Sequence, residues 1–342
     1  MPAPSAYFRF YASHWRGAGH AFRCKALADE LTTRGWQCVF VTEQESYDFC
    51  TVLKGYSRID PDAFYKSPPL HDILVVDHYE CGAEYETHFR PYAGKIVVID
   101  DLMDKPHDAD IIHNQSYGVT ESHYAGLCPA HCRMLLGSRF ALMKKEFQAM
   151  REKTLNRRRQ ISCIDRILIN FGGNDQKNMI LTSLQKLATT GYRGIIDVAY
   201  GLMAPHRDSV ESFCRTLPNE IHFHVAPSMP DLMAQADFAI GAPAVTQWER
   251  FALGLPTLLI QTADNQSFTY QALMNDGFSV PPTLDDLDQP GWLIDFNASH
   301  YRKTVDLYQA QSSGNGAELF ADAIINLGNI SHDSSIARAH AV

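Results

Sequence analysis

The first place in this 342-residue chain where chemistry can be read is a histidine set between a pair of glycines and a helix. Arg16-Gly17-Ala18-Gly19-His20 follows an apolar run, Tyr7 to Ala12. It precedes Ala21 to Leu31, in which Phe22, Ala26, Leu27 and Leu31 fall near one face at helical spacing. The spacing predicts strand, glycine turn, helix. Gly17 and Gly19 permit a turn that side chains would block, and they let a ligand come close to the backbone. Free N–H groups at the start of the following helix favour an anion. His20 lies at that start, where the dipole disfavours an imidazolium, so the ring is expected to be neutral and able to take a proton near about pH 7. An anion site and a neutral base in one loop suggest chemistry on a phosphorylated substrate. The same residues also suit a tight strand-to-helix turn with an exposed histidine. The motif is not the full dinucleotide fingerprint, because Phe22 stands in the third glycine position.

Later stretches repeat the logic. Gly172-Gly173 ends an apolar strand and is expected to start a helix, so it can approach a phosphate closely. Asn174 and Asp175 beside it suit helix N-caps as well as ligand contact. Gly241-Ala242-Pro243-Ala244-Val245-Thr246-Gln247-Trp248-Glu249 follows another strand and enters a helix. Glu249 could accept hydrogen bonds from both vicinal hydroxyls of a ribose, or be a surface glutamate in the first turns. The amides of Asp264-Asn265-Gln266 could touch phosphate or sugar, or cap the next helix. His222-x-His224 puts two rings on one face of a strand. That spacing can bind metal, but no third ligand is apparent from sequence, and no metal is assigned.

The elements that must position these residues follow the pattern of an α/β protein. Ile73-Leu74-Val75-Val76-Asp77 and Lys95 to Asp101 are continuous apolar runs ending in polar residues, as suits parallel strands buried on both faces. Asp77-His78-Tyr79 and Asp100-Asp101 then lie at strand C-termini, where open α/β sheets place ligands. Further strands are expected at Gln37–Thr42, Asp110–His113 and Arg133–Leu136, with helices at Gln44–Leu53 and from Met143. The basic stretch Arg151 to Gln160 reads as a solvated linker. Arg166–Phe171 then restarts the pattern, with strands at Ile195–Tyr200, Ile221–Val225, Phe238–Ile240 and Thr257–Ile260. Helices are expected at Asn178–Thr189, Pro205–Cys214, Met229–Gln235, Val245–Leu253, Gln266–Asp276 and Ala317–Leu327. The division is residues 1–155, carrying the histidine loop; 156–328, a second α/β unit; and 329–342, a loose tail. Two such units imply a cleft between facing domains.

Composition narrows the partners. The net charge of −9 argues against a general nucleic-acid or anionic-membrane binder. Eight scattered cysteines form no C-x-x-C, which points to a reducing compartment. Met1 to Ala6 lacks the basic and apolar regions of a secretory signal, and no run reaches the length of a membrane span. A cytoplasmic location is expected, with no membrane insertion.

These motifs, in this order, resemble the UDP-2,4-diacetamido-2,4,6-trideoxy-β-L-altropyranose hydrolases of pseudaminic acid biosynthesis and the related spore-coat polysaccharide biosynthesis proteins. The matching pieces are Gly17 to Cys24, Val76-Asp77-His78-Tyr79, and Val98 to Asp101 with Pro106-His107-Asp108. They continue with Leu135 to Leu142, Phe171 to Asp175, Thr246 to Arg250, Leu253 to Pro256 and Asp264 to Gln266. The likeness runs from about Phe8 to Val280. It implies a GT-B-like fold of two facing Rossmann-type domains with an interdomain cleft. It also implies a metal-independent, cofactor-free hydrolysis in which water displaces UDP from the anomeric carbon with inversion. His20 aligns with the family's general base, Glu249 with its uridine-binding segment, and Asn265 and Gln266 with residues lining diphosphate and sugar. The substrate- and nucleotide-binding set is then Gly17, Gly19, Arg23, Asp77, His78, Tyr79, Gly172, Gly173, Asn174, Asp175, Glu249, Asn265 and Gln266.

Two positions depart from the family pattern. Tyr11 replaces the aspartate of Arg-x-Asp-Ala-Ser. Pro243-Ala244-Val245 replaces the Gly-Gly-Ser of Gly-Ala-Gly-Gly-Ser-Thr, which removes one N–H and the hydroxyl that could hold a phosphate. The rival readings are a GT-B glycosyltransferase using a UDP-sugar donor and a nucleotide-sugar-binding relative without catalysis.

Overall fold

The computed structural model describes residues 2–13, 17–173, 175–201, 204–280, 283–288 and 298–328. The Asn174 and residue 329–342 expectations fall outside them, as does Arg16.

The first unit is a seven-stranded parallel sheet in the order β3-β2-β1-β4-β5-β6-β7. Its strands are β1 Ser5–Phe10, β2 Gln37–Val41, β3 Ser57–Ile59, β4 His71–Asp77, β5 Ala93–Ile99, β6 Ile111–Asn114 and β7 Arg133–Leu136. Alternation along the central strands divides the core between two faces. Phe8, Phe10, Ile73 and Val75 pack with helix α1, Gly19–Thr33. Leu74, Val76, Ile96 and Val98 pack on the other face with Phe64 and Phe89. Those two rings come from short helices at Pro61–Lys66 and Ala83–Phe89, which the periodicity did not predict.

The second unit is a five-stranded parallel sheet, β10-β9-β8-β11-β12. Its strands are β8 Arg166–Asn170, β9 Ile195–Tyr200, β10 Ile221–Val225, β11 Phe238–Gly241 and β12 Thr257–Leu259. Ile167, Ile169, Phe238 and Ile240 face one core, and Leu168 and Ala239 the other.

Two features differ from the sequence expectation. Arg151 to Gln160 is not a loose linker: most of it belongs to the helix Lys145–Arg158. Arg158 is fully buried, and its guanidinium donates to the carbonyls of Leu253 at 2.8 Å, Ala236 at 2.5 Å and Met233 at 2.5 Å. Arg151 donates to Ala252 O at 2.7 Å and Gln309 O at 2.9 Å. A basic run reads as solvated only when nothing accepts its protons; here the carbonyls of chain turns do.

The last helix, Gly316–Gly328, departs from the division at 155/156, because it returns to the first unit. Phe320, Ala321, Ala323 and Ile324 join the core beneath α1. Phe320 stacks on His113 with ring centroids 4.5 Å apart, and Arg34 pairs with Asp322. A helix not predicted from sequence, Ala298–Gln309, precedes it and buries Tyr301, Val305 and Tyr308 in the second unit.

The units meet along a seam. Tyr117 Oη donates to Asp276 Oδ2 at 2.7 Å, and His123 lies edge-on to Phe268 at 5.1 Å. The start of α1 comes close to the start of the helix Val245–Ala252: a Cβ on Gly19 would stand 3.5 Å from Val245 Cγ2.

Candidate active site

The parallel register that pairs Phe10 with Asp77 sets the C-terminal end of β4 beside the end of β1. The chain then turns through Gly17, at φ +80°, a conformation that favours glycine, into α1. This lays the first turn of α1 over Asp77. His20 Nδ1 is 2.6 Å from Asp77 Oδ1. In the neutral ring this contact puts the proton on Nδ1, donated to the carboxylate, and leaves Nε2 as the accepting nitrogen. The ring is not the exposed histidine of an ordinary turn. It is 6% exposed and lies edge-on to Tyr79 at 4.7 Å.

Arg23, one turn further along α1, binds the same carboxylate in a fork: Nε to Oδ2 at 2.6 Å and Nη2 to Oδ1 at 2.5 Å. Its Nη1 reaches Asp101 Oδ2 at 2.9 Å. Burial alone would raise the Asp77 carboxyl, but the Arg23 guanidinium charge, with the hydrogen bonds from Arg23 and His20, overrides it and holds the group well below the usual carboxylate range. Burial opposes the Arg23 charge, yet Asp77 and Asp101 keep it firmly protonated. Arg23 and the fully buried Asp77 were both expected to bind substrate. The structure places them behind His20, where each is occupied by the other.

His78 and Tyr79 continue from the end of β4. Burial, then the nearby Arg9 guanidinium, pushes the His78 ring down to about 4, so it is neutral at physiological pH. Tyr79 Oη lies 3.4 Å from Asp101 Oδ2 and accepts from Asn265 Nδ2 of the opposite unit at 3.4 Å.

Asp101 was not assigned to the site from sequence, although its strand end was noted. Its neighbour Asp100 is consumed by the local turn, accepting from Leu102 N at 3.1 Å, Met103 N at 3.0 Å and Tyr124 Oη at 2.7 Å. Asp101 instead turns toward Arg23 and Tyr79, and its Oδ1 is buried without a hydrogen-bond partner among the described residues.

Across the seam, the helix Val245–Ala252 begins at Ala244 with no side-chain cap and no acidic residue in its first turn. Gly241, at the end of β11, is required by close approach: a Cβ there would overlap Arg250 Nη1 and meet Asn170 O at 2.5 Å. Arg250 is buried and donates to Ala242 O and to Gln247 Oε1. This fixes the turn that presents Glu249. Burial pushes the Glu249 carboxyl up to about 7, against the lowering pull of Lys144 and Arg250, and its Oε2 has no partner among the described residues.

Three expected ligand groups do other work. Asp175 accepts from Met179 N at 2.8 Å and Ile180 N at 3.0 Å, so its carboxylate caps the helix Met179–Thr189. That helix starts six residues beyond Gly173, so Gly172-Gly173 is not a helix start. The amides that would favour an anion are already taken by Asp175. Both glycines are exposed, and Gly173 lies against Gly201, where a Cβ would overlap its carbonyl oxygen. Gln266 Oε1 accepts from Thr262 N at 2.8 Å and Ala263 N at 3.3 Å, closing its own turn. Asn265 alone of that pair reaches across the seam.

No family model matches the chain. It is similar to a UDP-2,4-diacetamido-2,4,6-trideoxy-β-L-altropyranose hydrolase of Campylobacter jejuni, 28% identical over 279 residues, covering 80% of this chain and 97% of the relative. It is also similar to the spore coat polysaccharide biosynthesis protein SpsG of Bacillus subtilis, 26% identical over 288 residues, covering 80% and 81%. The resemblance read from the motifs thus extends over four fifths of the chain. Among solved structures, Acinetobacter baumannii MurG superposes with a TM-score of 0.65 at 12% identity, covering 94% of this chain and 100% of MurG. The UDP-GlcNAc 2-epimerase of Neisseria meningitidis, bound to UDP-GlcNAc, gives 0.62 at 10%, covering 94% and 100%. At these identities the likeness speaks for the fold alone. The architecture is the GT-B-like pair of facing α/β units expected from sequence.

Proposed function

We propose that this chain hydrolyses a UDP-linked amino-deoxy sugar at its anomeric carbon, releasing UDP and the free sugar with inverted configuration. The observation that carries the reading is the His20–Asp77 pair, held against Tyr79 at the start of α1, which approaches the start of the helix bearing Glu249, a carboxylate with one oxygen unpartnered among the described residues. Similarity to a hydrolase of this kind, and to a polysaccharide biosynthesis protein, supports it.

In this reading Glu249 accepts the two ribose hydroxyls. The diphosphate rests where the uncapped starts of α1 and the Val245 helix converge, with their amides and dipoles stabilising its charge. Pro243 and Ala244 then matter less than in a Gly-Gly-Ser turn, because the amides from Val245 onward and the Gly19 side of the seam supply donors. Water on the opposite face of the sugar gives its proton to His20 Nε2 as its oxygen bonds to the anomeric carbon. The bond to the UDP oxygen breaks, and its electron pair leaves on the phosphate. Asp77 stabilises the imidazolium as it forms, and Arg23 keeps Asp77 ionised and aligned. In this reading Asp101 Oδ1, buried without a partner among the described residues, accepts a hydrogen bond from the sugar. Eight free cysteines and the supply of nucleotide sugars suit a cytoplasmic setting, and no helix among the described residues is long and apolar enough to cross a membrane.

The test is a panel of UDP-sugars incubated with the protein without acceptor, with UDP and the product anomer followed by NMR. Free UDP with the inverted sugar is expected. UDP release only after a sugar acceptor is added assigns a glycosyltransferase instead, and binding without turnover assigns a non-catalytic relative.

A further inference from the structure

We propose that the outer edge of the second sheet carries a site for a divalent transition-metal ion of the zinc type, built from Asp197, His222 and His224. The two histidines share a face of β10, and the parallel register sets Asp197 of β9 opposite His222. The third ligand that the sequence did not reveal is therefore supplied by the neighbouring strand. In this group one ligand atom from each residue lies within 4.8 Å of the other two.

The hydrogen bonding around the group favours a cation. His224 Nε2 is 2.7 Å, and His222 Nδ1 3.6 Å, from Asp197 Oδ1. On the far side of His222, Nε2 is 2.9 Å from Glu220 Oε1. A neutral imidazole has one proton. Donated from Nε2 to Glu220, it leaves the Nδ1 lone pair beside Asp197 Oδ1, two acceptors that now share the cationic Arg166 Nη2 as their donor. A carboxylate backing a ligating imidazole in this manner fixes the tautomer and raises its basicity.

Arg166 grips Asp197 with Nε to Oδ2 at 2.5 Å and Nη2 to Oδ1 at 2.9 Å, and the same Nη2 lies 3.4 Å from His222 Nδ1. It holds the carboxylate in orientation and is the resident competitor for its charge. Two imidazoles and a carboxylate, with water completing the shell, suit zinc at bond lengths of about 2.0–2.2 Å. The contraction this requires falls on half-exposed rings, whose side chains are 40% and 25% accessible. β10 is an edge strand, separated from β8 by β9, so the ion would clamp β10 onto β9 and take no part at His20.

The full-length protein, stripped with EDTA and dialysed, is titrated with zinc chloride by calorimetry and with Co²⁺ by visible absorption. One ion per chain is expected, bound in the micromolar range or tighter, with a rise in unfolding temperature of roughly 2–5 °C at saturation. His222→Ala and His224→Gln, both at half-exposed positions, should each abolish the Co²⁺ spectrum. Glu220→Gln should weaken the ion by about tenfold, the scale for loss of a backing carboxylate. If the wild-type protein binds neither ion, or if the histidine variants bind as tightly with the same spectrum, the proposal is overturned.

Discussion

The two sides of the seam are built on opposite principles. On the first unit, His20, Arg23 and Asp77 hold one another before any ligand arrives: the carboxylate accepts from a ring and a guanidinium, and Asp101 accepts from the guanidinium's third nitrogen. On the second, the Glu249 carboxylate keeps an oxygen unpartnered among the described residues, and the helix carrying it starts without a side-chain cap. Orientation of a base needs closed hydrogen bonds, because an unheld imidazole samples unproductive tautomers and rotamers. Ligand capture needs open ones, because a buried polar atom without a partner gains most when the ligand supplies it.

The comparison breaks first at the base. His20→Asn should fold with an unchanged unfolding temperature yet lose roughly 10²–10⁴-fold in kcat for UDP release, the usual contribution of a general base. Wild-type turnover in that variant would remove the chemistry from the first unit altogether. Next is Asp77→Asn, which leaves the Arg23 charge partly unpaired in the interior. Stability should fall by about 3–5 kcal/mol in thermal or urea unfolding, together with activity. The sign of the pH effect is fixed by the depressed Asp77 carboxyl: its contribution is fully present above the unfolded value of about 3.9 and is lost as the pH falls below it. A wild-type acid-unfolding midpoint unchanged by Asp77→Asn would contradict this.

Glu249 sharpens the other side, with the opposite sign. Its carboxyl is raised to about 7, so the free protein loses stability as the pH rises from the unfolded value through that region. If Glu249 holds the ribose hydroxyls as proposed, they donate to its ionised form, and UDP affinity should increase between about pH 6 and 8, by up to roughly tenfold per unit below the midpoint, with proton release visible by calorimetry in buffers of different ionisation enthalpy. Glu249→Gln should weaken UDP and flatten this dependence. A smaller effect is expected for Asp101→Asn, which keeps shape but loses charge. KM for the sugar nucleotide should rise more than kcat falls, by a few-fold to about tenfold for one hydrogen bond to a charged group. The smallest belongs to Asp175→Ala: about 1 kcal/mol of stability, as for other helix caps, with UDP affinity unchanged. A large loss of affinity there would return Asp175 to the nucleotide site.

Much of this was legible in the residues. Continuous apolar runs such as Ile73 to Val76 can only be buried on two faces, so the parallel sheets followed. Short, half-exposed pieces such as β3 carry too few apolar positions to show a period. The helix Ala298–Gln309 was missed although it buries two tyrosines that also hydrogen-bond carbonyls, Tyr301 to Asp237 O at 2.7 Å and Tyr308 to Phe278 O at 2.7 Å. Among site residues, spacing singled out His20 and Glu249, which the structure puts on the two helices whose starts meet at the seam. It also grouped Asp175 and Gln266 with them. A carboxylate or amide beside a glycine turn looks the same in sequence whether it meets a ligand or caps its own backbone.

By itself, then, the amino-acid order determined what is periodic and local: which runs become strands, where glycine lets the chain turn, and that a histidine opens a helix. Only the tertiary structure decided who faces whom. It brought Asp77 under His20 from 57 residues away and sent Asp100 to the backbone while freeing Asp101. It also buried Arg158 in a run that looked solvated. Those outcomes depend on directional contacts between strands and helices distant in the chain, and a hydrogen bond's partner is settled by geometry that residue type alone does not encode.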